Sequence, residues 1–245
     1  MNNATRPSSS ASILKDLRED LRAAADPAHR EGSRAFFKEA INPLGVRVRE
    51  LNAIVATHWN AVRSLEPQEL LTLCDNLWGS GVFEEPVVAS KWCGRAIKRL
   101  GAKAFPTFER WLDTRVSNWG HCDVLCTKCM GTLLELEPGL ASRTDAWLTS
   151  PNRWLRRGVA VSLVPPARHG LHTERVFRVA DALLEDADDL VRKGYGWMLK
   201  EASKPCPREV FEFVLQRRGR MPRVALRYAI ELLPKDLRAQ AMVRS

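Results

Sequence analysis

Leu155-Arg156-Arg157-Gly158 is answered 36 residues later by Val191-Arg192-Lys193-Gly194, and Arg223-Val224-Ala225 opens a third segment of the same character. Each group stands near the start of a segment with helical periodicity. In the first two, a glycine is placed to let a neighbouring helix approach closely. An interval of about 40 residues is the length of a two-helix repeat, a unit that buries its apolar face only by stacking on its neighbours.

Outward from these segments the chain reads as helix almost throughout, with hardly any alternation of the period that a half-buried strand requires. In Phe83 to Leu100, residues Val87, Val88, Trp92, Ala96 and Ile97 fall on one helical face. In Thr173 to Leu184, residues Val176, Val179, Ala180, Leu183 and Leu184 do the same. Pro67, Pro106, Pro151, Pro207 and Pro222 are placed for first turns, where a missing amide costs nothing. Ser150 is a natural cap before Pro151, as is Asp186 or Asp188 before the helix carrying Trp197. The spacing predicts about a dozen helices. The fold expected is all-α, a HEAT-like α-solenoid of stacked antiparallel helix pairs whose inner helices line a concave, basic face. Residues 12–245 form a single repeat domain in this reading, behind a low-complexity, disordered tail at 1–11.

The charge distribution narrows the partner. Residues 1–150 hold 19 basic and 18 acidic side chains, a balance of +1, whereas residues 151–245 hold 19 and 11, a balance of +8. A basic portion joined to a neutral one suits a polyanion, nucleic acid before acidic membrane; the alternative is a basic surface serving solubility. No stretch approaches the roughly 18 apolar residues of a membrane span, and Met1 to Ser12 has no apolar run of the secretory kind. Six scattered cysteines in a chain that is 45% hydrophobic do not resemble a disulfide scaffold. A reduced, cytoplasmic, nucleoid-associated monomer is expected.

Trp119 and Asp123 lie one helical turn apart just after Ser117-Asn118, one of which caps the helix. Arg157 follows Trp119 by 38 residues and Trp197 follows Arg157 by 40, so stacked repeats would bring all four onto one face. A carboxylate near a helix N-terminus stays ionised, and beside aromatic faces it can stabilise positive charge developing on a sugar. Glycosidic cleavage of oxocarbenium character needs those elements. The competing reading makes Trp119 a core residue and Asp123 a second cap.

Cys122, Cys126 and Cys129 have the C-x3-C-x2-C spacing of a radical-enzyme iron–sulfur site, with His121 beside them. They fall within an apparently continuous helix from Trp119 to Leu136, however, where they share one face as small packing residues. No fourth ligand has zinc spacing, so neither metal nor cofactor is expected. Trp59, Trp78, Trp92, Trp111 and Trp147 read as core, and Trp154 as core or basic surface. Arg217-Arg218-Gly219-Arg220 is either a solvated turn or a phosphate contact, and Glu185 to Asp189 a helix start rather than a metal site.

Asn118-Trp119-Gly120-His121-Cys122-Asp123, Arg153-Trp154-Leu155-Arg156-Arg157 and Lys193-Gly194-Tyr195-Gly196-Trp197-Met198-Leu199-Lys200 resemble the bacterial AlkD family of DNA alkylation-repair glycosylases. The similarity runs from about Phe36 to Tyr228 and includes Leu44-Gly45-Val46. What carries it is the order and spacing of four positions, Trp119, Asp123, Arg157 and Trp197, rather than any one motif. The resemblance implies that Trp119 and Trp197 cradle the deoxyribose of a damaged nucleotide and that Asp123 stabilises the oxocarbenium and orients water. It implies that Arg157 grips a phosphate, with Lys200, Arg153, Arg156, Lys193, Arg223 and Phe36 as further DNA contacts. Phe36 stands where the family can carry a tyrosine, so a hydroxyl contribution there is missing. The implied activity is hydrolysis of the N-glycosidic bond of cationic N3- or N7-alkylated purines in double-stranded DNA, without deep base flipping. A non-catalytic binder of branched or distorted DNA is the alternative, and a protein-interaction solenoid a third reading.

Overall fold

A computed structural model of the chain describes residues 9–243, and all their regular structure is helical. The fold is all-α, as the periodicity predicts. The chain divides at Thr107 into two compact units. Of the expected tail, residues 1–8 lie outside the described residues. Ser10 and Ala11 already belong to the first helix, which Ser9 caps through its side chain. None of the described helices is long and apolar enough to cross a membrane.

The first unit contains α1 (Ser10–Ala23), α2 (Pro27–Phe36), α3 (Val48–Thr57), the single turn α4 (Trp59–Val62), α5 (Pro67–Trp78), α6 (Glu84–Arg95) and α7 (Ile97–Leu100). Ile13, Leu17 and Leu21, spaced by four, form the buried stripe of α1. The face foreseen across Phe83–Leu100 is buried at Val88, Trp92, Ala96 and Ile97, but the helix breaks at Ala96 and Val87 is only half-buried. Trp92 donates its indole N–H to the carbonyl of Val55 at 3.1 Å, which satisfies its polar atom in the core.

The Leu44-Gly45-Val46 segment has a structural purpose in this unit. Its three backbone amides donate to the buried carboxylate of Glu84 at 2.9, 2.8 and 3.1 Å. Gly45 sits at φ +89°, where a Cβ would meet the Asp26 carbonyl at 2.3 Å, so only glycine fits. Beside it, Glu85 is buried and takes two hydrogen bonds of 2.9 Å from Arg18.

Helix α8 (Phe105–Thr114) carries the division between the units. The second unit continues with α9 (Trp119–Leu125), α10 (Gly131–Leu136), α11 (Arg153–Ser162), α12 (Val164–Arg168), α13 (Thr173–Ala182), α14 (Asp189–Ala202), α15 (Pro207–Arg217), α16 (Arg223–Ala229) and α17 (Lys235–Met242). Helix α11 packs on α9 and on α14, and α14 packs on α16, so these four stand in a row. Residues Val176, Val179, Ala180, Leu183 and Leu184 are buried, as the periodicity requires.

The repeated glycines work as their positions suggest. A Cβ on Gly158 would meet Leu112 Cδ2 at 2.5 Å, and one on Gly194 would meet Arg157 Cγ at 3.3 Å. The caps correct one expectation. Asp188 caps α14 by accepting from the Leu190 amide, but α11 starts at Arg153 and its cap is Asn152, not Ser150. Asn152 wins because it both accepts and donates. It takes the Trp154 amide at 2.9 Å while its amide group reaches Asp113 at 2.9 Å, and Ser150 instead shapes the preceding turn by accepting from the Asn152 amide.

Candidate active site

Asn118 caps α9, accepting from the His121 amide at 2.9 Å. Trp119 and Asp123 project from that helix one turn apart, both half-buried. Asp123 is the fifth helical residue, beyond the free amides of the first turn, so the expectation that the helix end keeps it ionised needs correcting. Burial pushes its carboxyl above the ordinary aspartate value, and Arg157 pulls it part of the way back.

Arg157 comes from α11 and is 5% exposed. Its Nε donates to one carboxylate oxygen of Asp123 at 2.9 Å and its Nη2 to the other at 2.8 Å, while Nη1 donates to the carbonyl of Leu190 at the start of α14. Burial works against the guanidinium charge, and the Asp123 carboxylate more than offsets it. The arginine expected to hold a phosphate is therefore occupied, in this state, in tying three successive helices of the row together. Gly194 on α14 lies beneath it, with the position of a Cβ 3.4 Å from Arg157 Nη1. Trp197 follows Gly194 by three residues on the same side of α14 and is half-exposed.

The tryptophans divide cleanly. Trp78, Trp92, Trp111, Trp147 and Trp154 are buried, while Trp59, Trp119 and Trp197 are only partly buried. Trp59 corrects its core reading: Arg95 stacks over its ring at 5.6 Å and the indole remains half-exposed.

Cys122, Cys126 and Cys129 are each wholly buried, in accord with packing residues. Burial pushes the Cys122 thiol well up, so it packs as a neutral side chain. The helix they occupy is not continuous α. A π-helical turn spans Cys126–Met130, and its extra residue turns everything after it by about 100° relative to an unbroken α-helix. Asp123 thus faces α11 before the bulge, while Gly131 after it packs within 2.8 Å of Pro165 and the Ser162 carbonyl, counted from a Cβ position. Sequence periodicity does not register a single inserted residue.

Several basic candidates are tied to acids of the 185–189 stretch. Arg156 donates to Asp186 at 2.7 and 3.3 Å and to the Ser150 carbonyl at 2.7 Å, which makes it a strut between two loops. Arg153 reaches Asp188 at 3.3 Å and stacks on Trp154 at 4.5 Å. Lys193 pairs with Asp189 at 3.3 Å. Lys200 pairs with Glu231 at 2.7 Å. Within 217–220, Arg217 binds Asp181 and Arg220 binds Glu185. Arg223 is exposed at the start of α16 and has no acidic partner among the described residues. Phe36 ends α2 in the first unit, 70% exposed, with its ring edge-on to Phe37 at 5.6 Å.

The family model for "DNA alkylation repair enzyme" matches residues 17–233. The chain belongs to the DNA alkylation repair enzyme family. A solved structure described as a "Predicted DNA alkylation repair enzyme from Enterococcus faecalis" superposes with a TM-score of 0.76 at 16% sequence identity, covering 86% of this chain and 97% of that one. At that identity the superposition speaks for the fold. No curated protein matches the chain. Family membership assigns the chain to the repair of alkylated DNA, with DNA as the substrate. The resemblance carried by Trp119, Asp123, Arg157 and Trp197 thus falls within the matched span.

Proposed function

We propose that the chain is a monofunctional DNA glycosylase that hydrolyses the N-glycosidic bond of cationic N3- or N7-alkylated purines in duplex DNA. The observation that carries the reading is the Asp123 carboxylate, 19% exposed, fixed at both oxygens by Arg157 and one turn from a half-exposed Trp119. Each carboxylate oxygen has about two lone-pair directions, so one remains on each after the arginine is bound. Those remaining directions serve a sugar cation or a water.

An alkylated purine already bears positive charge. When its bond to C1′ breaks, the bonding pair leaves with the base, which departs neutral and needs no proton. The charge moves to the sugar as an oxocarbenium, water adds at C1′, and a proton is lost to give an abasic site. One carboxylate suffices for this chemistry because it meets charge that develops only along the reaction. Trp119 and Trp197 are the indoles this reading assigns to the sugar, a role that their partial exposure permits. Arg157 acts in this account as the positioning residue for Asp123. The single domain over 12–245 and the DNA contacts from Arg153, Lys193, Lys200, Arg223 and Phe36 belong to the same proposal.

The test is to incubate the protein with a duplex containing N7-methylguanine and to count free base by chromatography. Release of base with intact strands supports the reading. Release no greater than that of Asp123→Asn rejects it, and tight binding to branched DNA without release would favour the non-catalytic alternative.

A further inference from the structure

Helices α16 and α17 enclose an open groove of about 450 Å³, lined by Arg227, Lys235 and Arg238 around a floor that includes Ile230 and Met242. The acid at its rim, Glu231, is already paired with Lys200 at 2.7 Å. None of the three lining cations has an acidic side-chain partner among the described residues, in contrast to Arg153, Arg156, Lys193 and Lys200. Arg238 makes only a long contact, 3.4 Å, to the Glu231 carbonyl. A cluster of guanidinium and ammonium groups left uncompensated on a folded surface repels itself, and an anion bound there relieves that repulsion.

The groove is joined to the candidate active site through named contacts. Lys200 follows Trp197 by three residues on α14, and its partner Glu231 lies on the groove wall. Helices α14 and α16 touch closely: a Cβ on Gly196 would meet the Ala225 carbonyl at 2.9 Å and Tyr228 Cβ at 2.8 Å. On α16, Arg223 and Arg227 are one turn apart and both exposed, so two basic side chains lie along the helix that leads into the groove.

We propose that this groove is a phosphodiester-binding site that grips the duplex on one side of the damaged nucleotide. The occupant is the sugar–phosphate backbone: Arg227 and Arg238 present forked N–H donors suited to phosphate oxygens, Lys235 adds a point charge, and Ile230 and Met242 offer an apolar floor for a deoxyribose edge. The proposal rests on duplex DNA being the ligand, but not on any bond being cleaved, so it is tested by binding alone.

The experiment measures affinity for an undamaged duplex against salt, comparing the full chain with Arg227→Ala/Arg238→Ala and with Arg227→Lys/Arg238→Lys. The alanine variant is expected to lower the slope of log affinity on log salt by about two, and the lysine variant to retain the wild-type slope. Duplexes that carry a tetrahydrofuran site to fix the register, shortened on one side or the other of it, locate the contact: variant and wild type should coincide on one shortened duplex and differ on the other. An unchanged slope on the long duplex overturns the proposal, as does an equal loss on both shortened ones. Unchanged DNA slopes with variant-sensitive binding of an acidic peptide would assign the groove to a protein partner and overturn it equally. Base release from N7-methylguanine DNA, measured separately with the unaltered chain at saturating protein, reports on the glycosylase reading alone.

Discussion

Arg157 holds Asp123 by two parallel hydrogen bonds of 2.9 and 2.8 Å, although 34 residues separate them, and its remaining nitrogen reaches the carbonyl of Leu190. The pair joins α9, α11 and α14 at the point where the candidate chemistry sits. Fork-to-carboxylate geometry fixes direction as well as charge, so the carboxylate presents the same two lone pairs to every substrate. A buried pair of this kind contributes little net stability; its value here is placement.

Replacing Arg157 with Met should therefore change the pH profile more than the salt dependence. Burial already raises the Asp123 carboxyl above its ordinary value, and the arginine opposes that rise. The folded value lies above the unfolded one, so ionising Asp123 costs stability as pH rises from the ordinary carboxylate range through the folded value. The proposed reaction uses the ionised form, so base release is predicted to fall as pH drops through that raised value. In Arg157→Met the acid limb of single-turnover base release should move to higher pH, while the salt slope of DNA binding stays as in the wild type. A lowered salt slope with an unmoved acid limb would restore Arg157 to the phosphate-contact role.

Asp123→Asn removes the charge that, in the proposed reaction, meets the sugar cation. A unit charge pair about 4 Å apart at an effective dielectric of about 20 is worth about 4 kcal/mol, so the rate should fall by about 10³ at most. The same substitution strips a buried arginine of its counter-ion, which costs up to about 3–5 kcal/mol of folding stability. Thermal melts alongside the rate assay separate the two effects. The double variant Asp123→Asn/Arg157→Met should melt above the sum of the single losses, the signature of a coupled pair.

Much of the fold could be read from apolar spacing. The stripe from Val176 to Leu184 is buried as spaced, Asp188 caps α14, and Gly158 and Gly194 mark close approaches. At the site, the repeat interval leads one to expect Trp119, Asp123, Arg157 and Trp197 on one face; the contacts found are Asp123 with Arg157, and Gly194, three residues before Trp197, against that arginine. What the sequence did not disclose were partners chosen across repeats: Arg157 with Asp123, Arg156 with Asp186, Glu84 with three amides. Such pairings depend on the rotation of one helix against the next, and a single-residue π turn at Cys126–Met130 alters that rotation without altering composition.

The α14 glycines should differ in what they break. In Gly196→Ala the new methyl meets the backbone of α16, which cannot yield cheaply, and overpacking of this kind costs about 1–3 kcal/mol. In Gly194→Ala the methyl meets the Arg157 side chain, which moves more easily. Calorimetry should show the larger loss of Tm for Gly196→Ala, and base-release assays the larger loss of rate per degree for Gly194→Ala.

Glu84→Gln tests the first unit independently of chemistry. The carboxylate accepts three backbone amides in a buried setting, and hydrogen bonds to a charged group are worth about 1.5–3 kcal/mol each. The amide side chain has one acceptor oxygen, so at least one backbone donor is left unsatisfied. A fall of several degrees in Tm is expected, and an unchanged melt would contradict the assignment.

The central claim is that the Asp123 anion meets positive charge at the sugar, and it is tested most directly with duplexes carrying a cationic pyrrolidine or a neutral tetrahydrofuran in place of the damaged sugar. The account predicts that the wild type prefers the cationic duplex and that Asp123→Asn loses the preference while still binding the neutral one. Equal affinities for both duplexes in the wild type, or a preference that survives in Asp123→Asn, would contradict it.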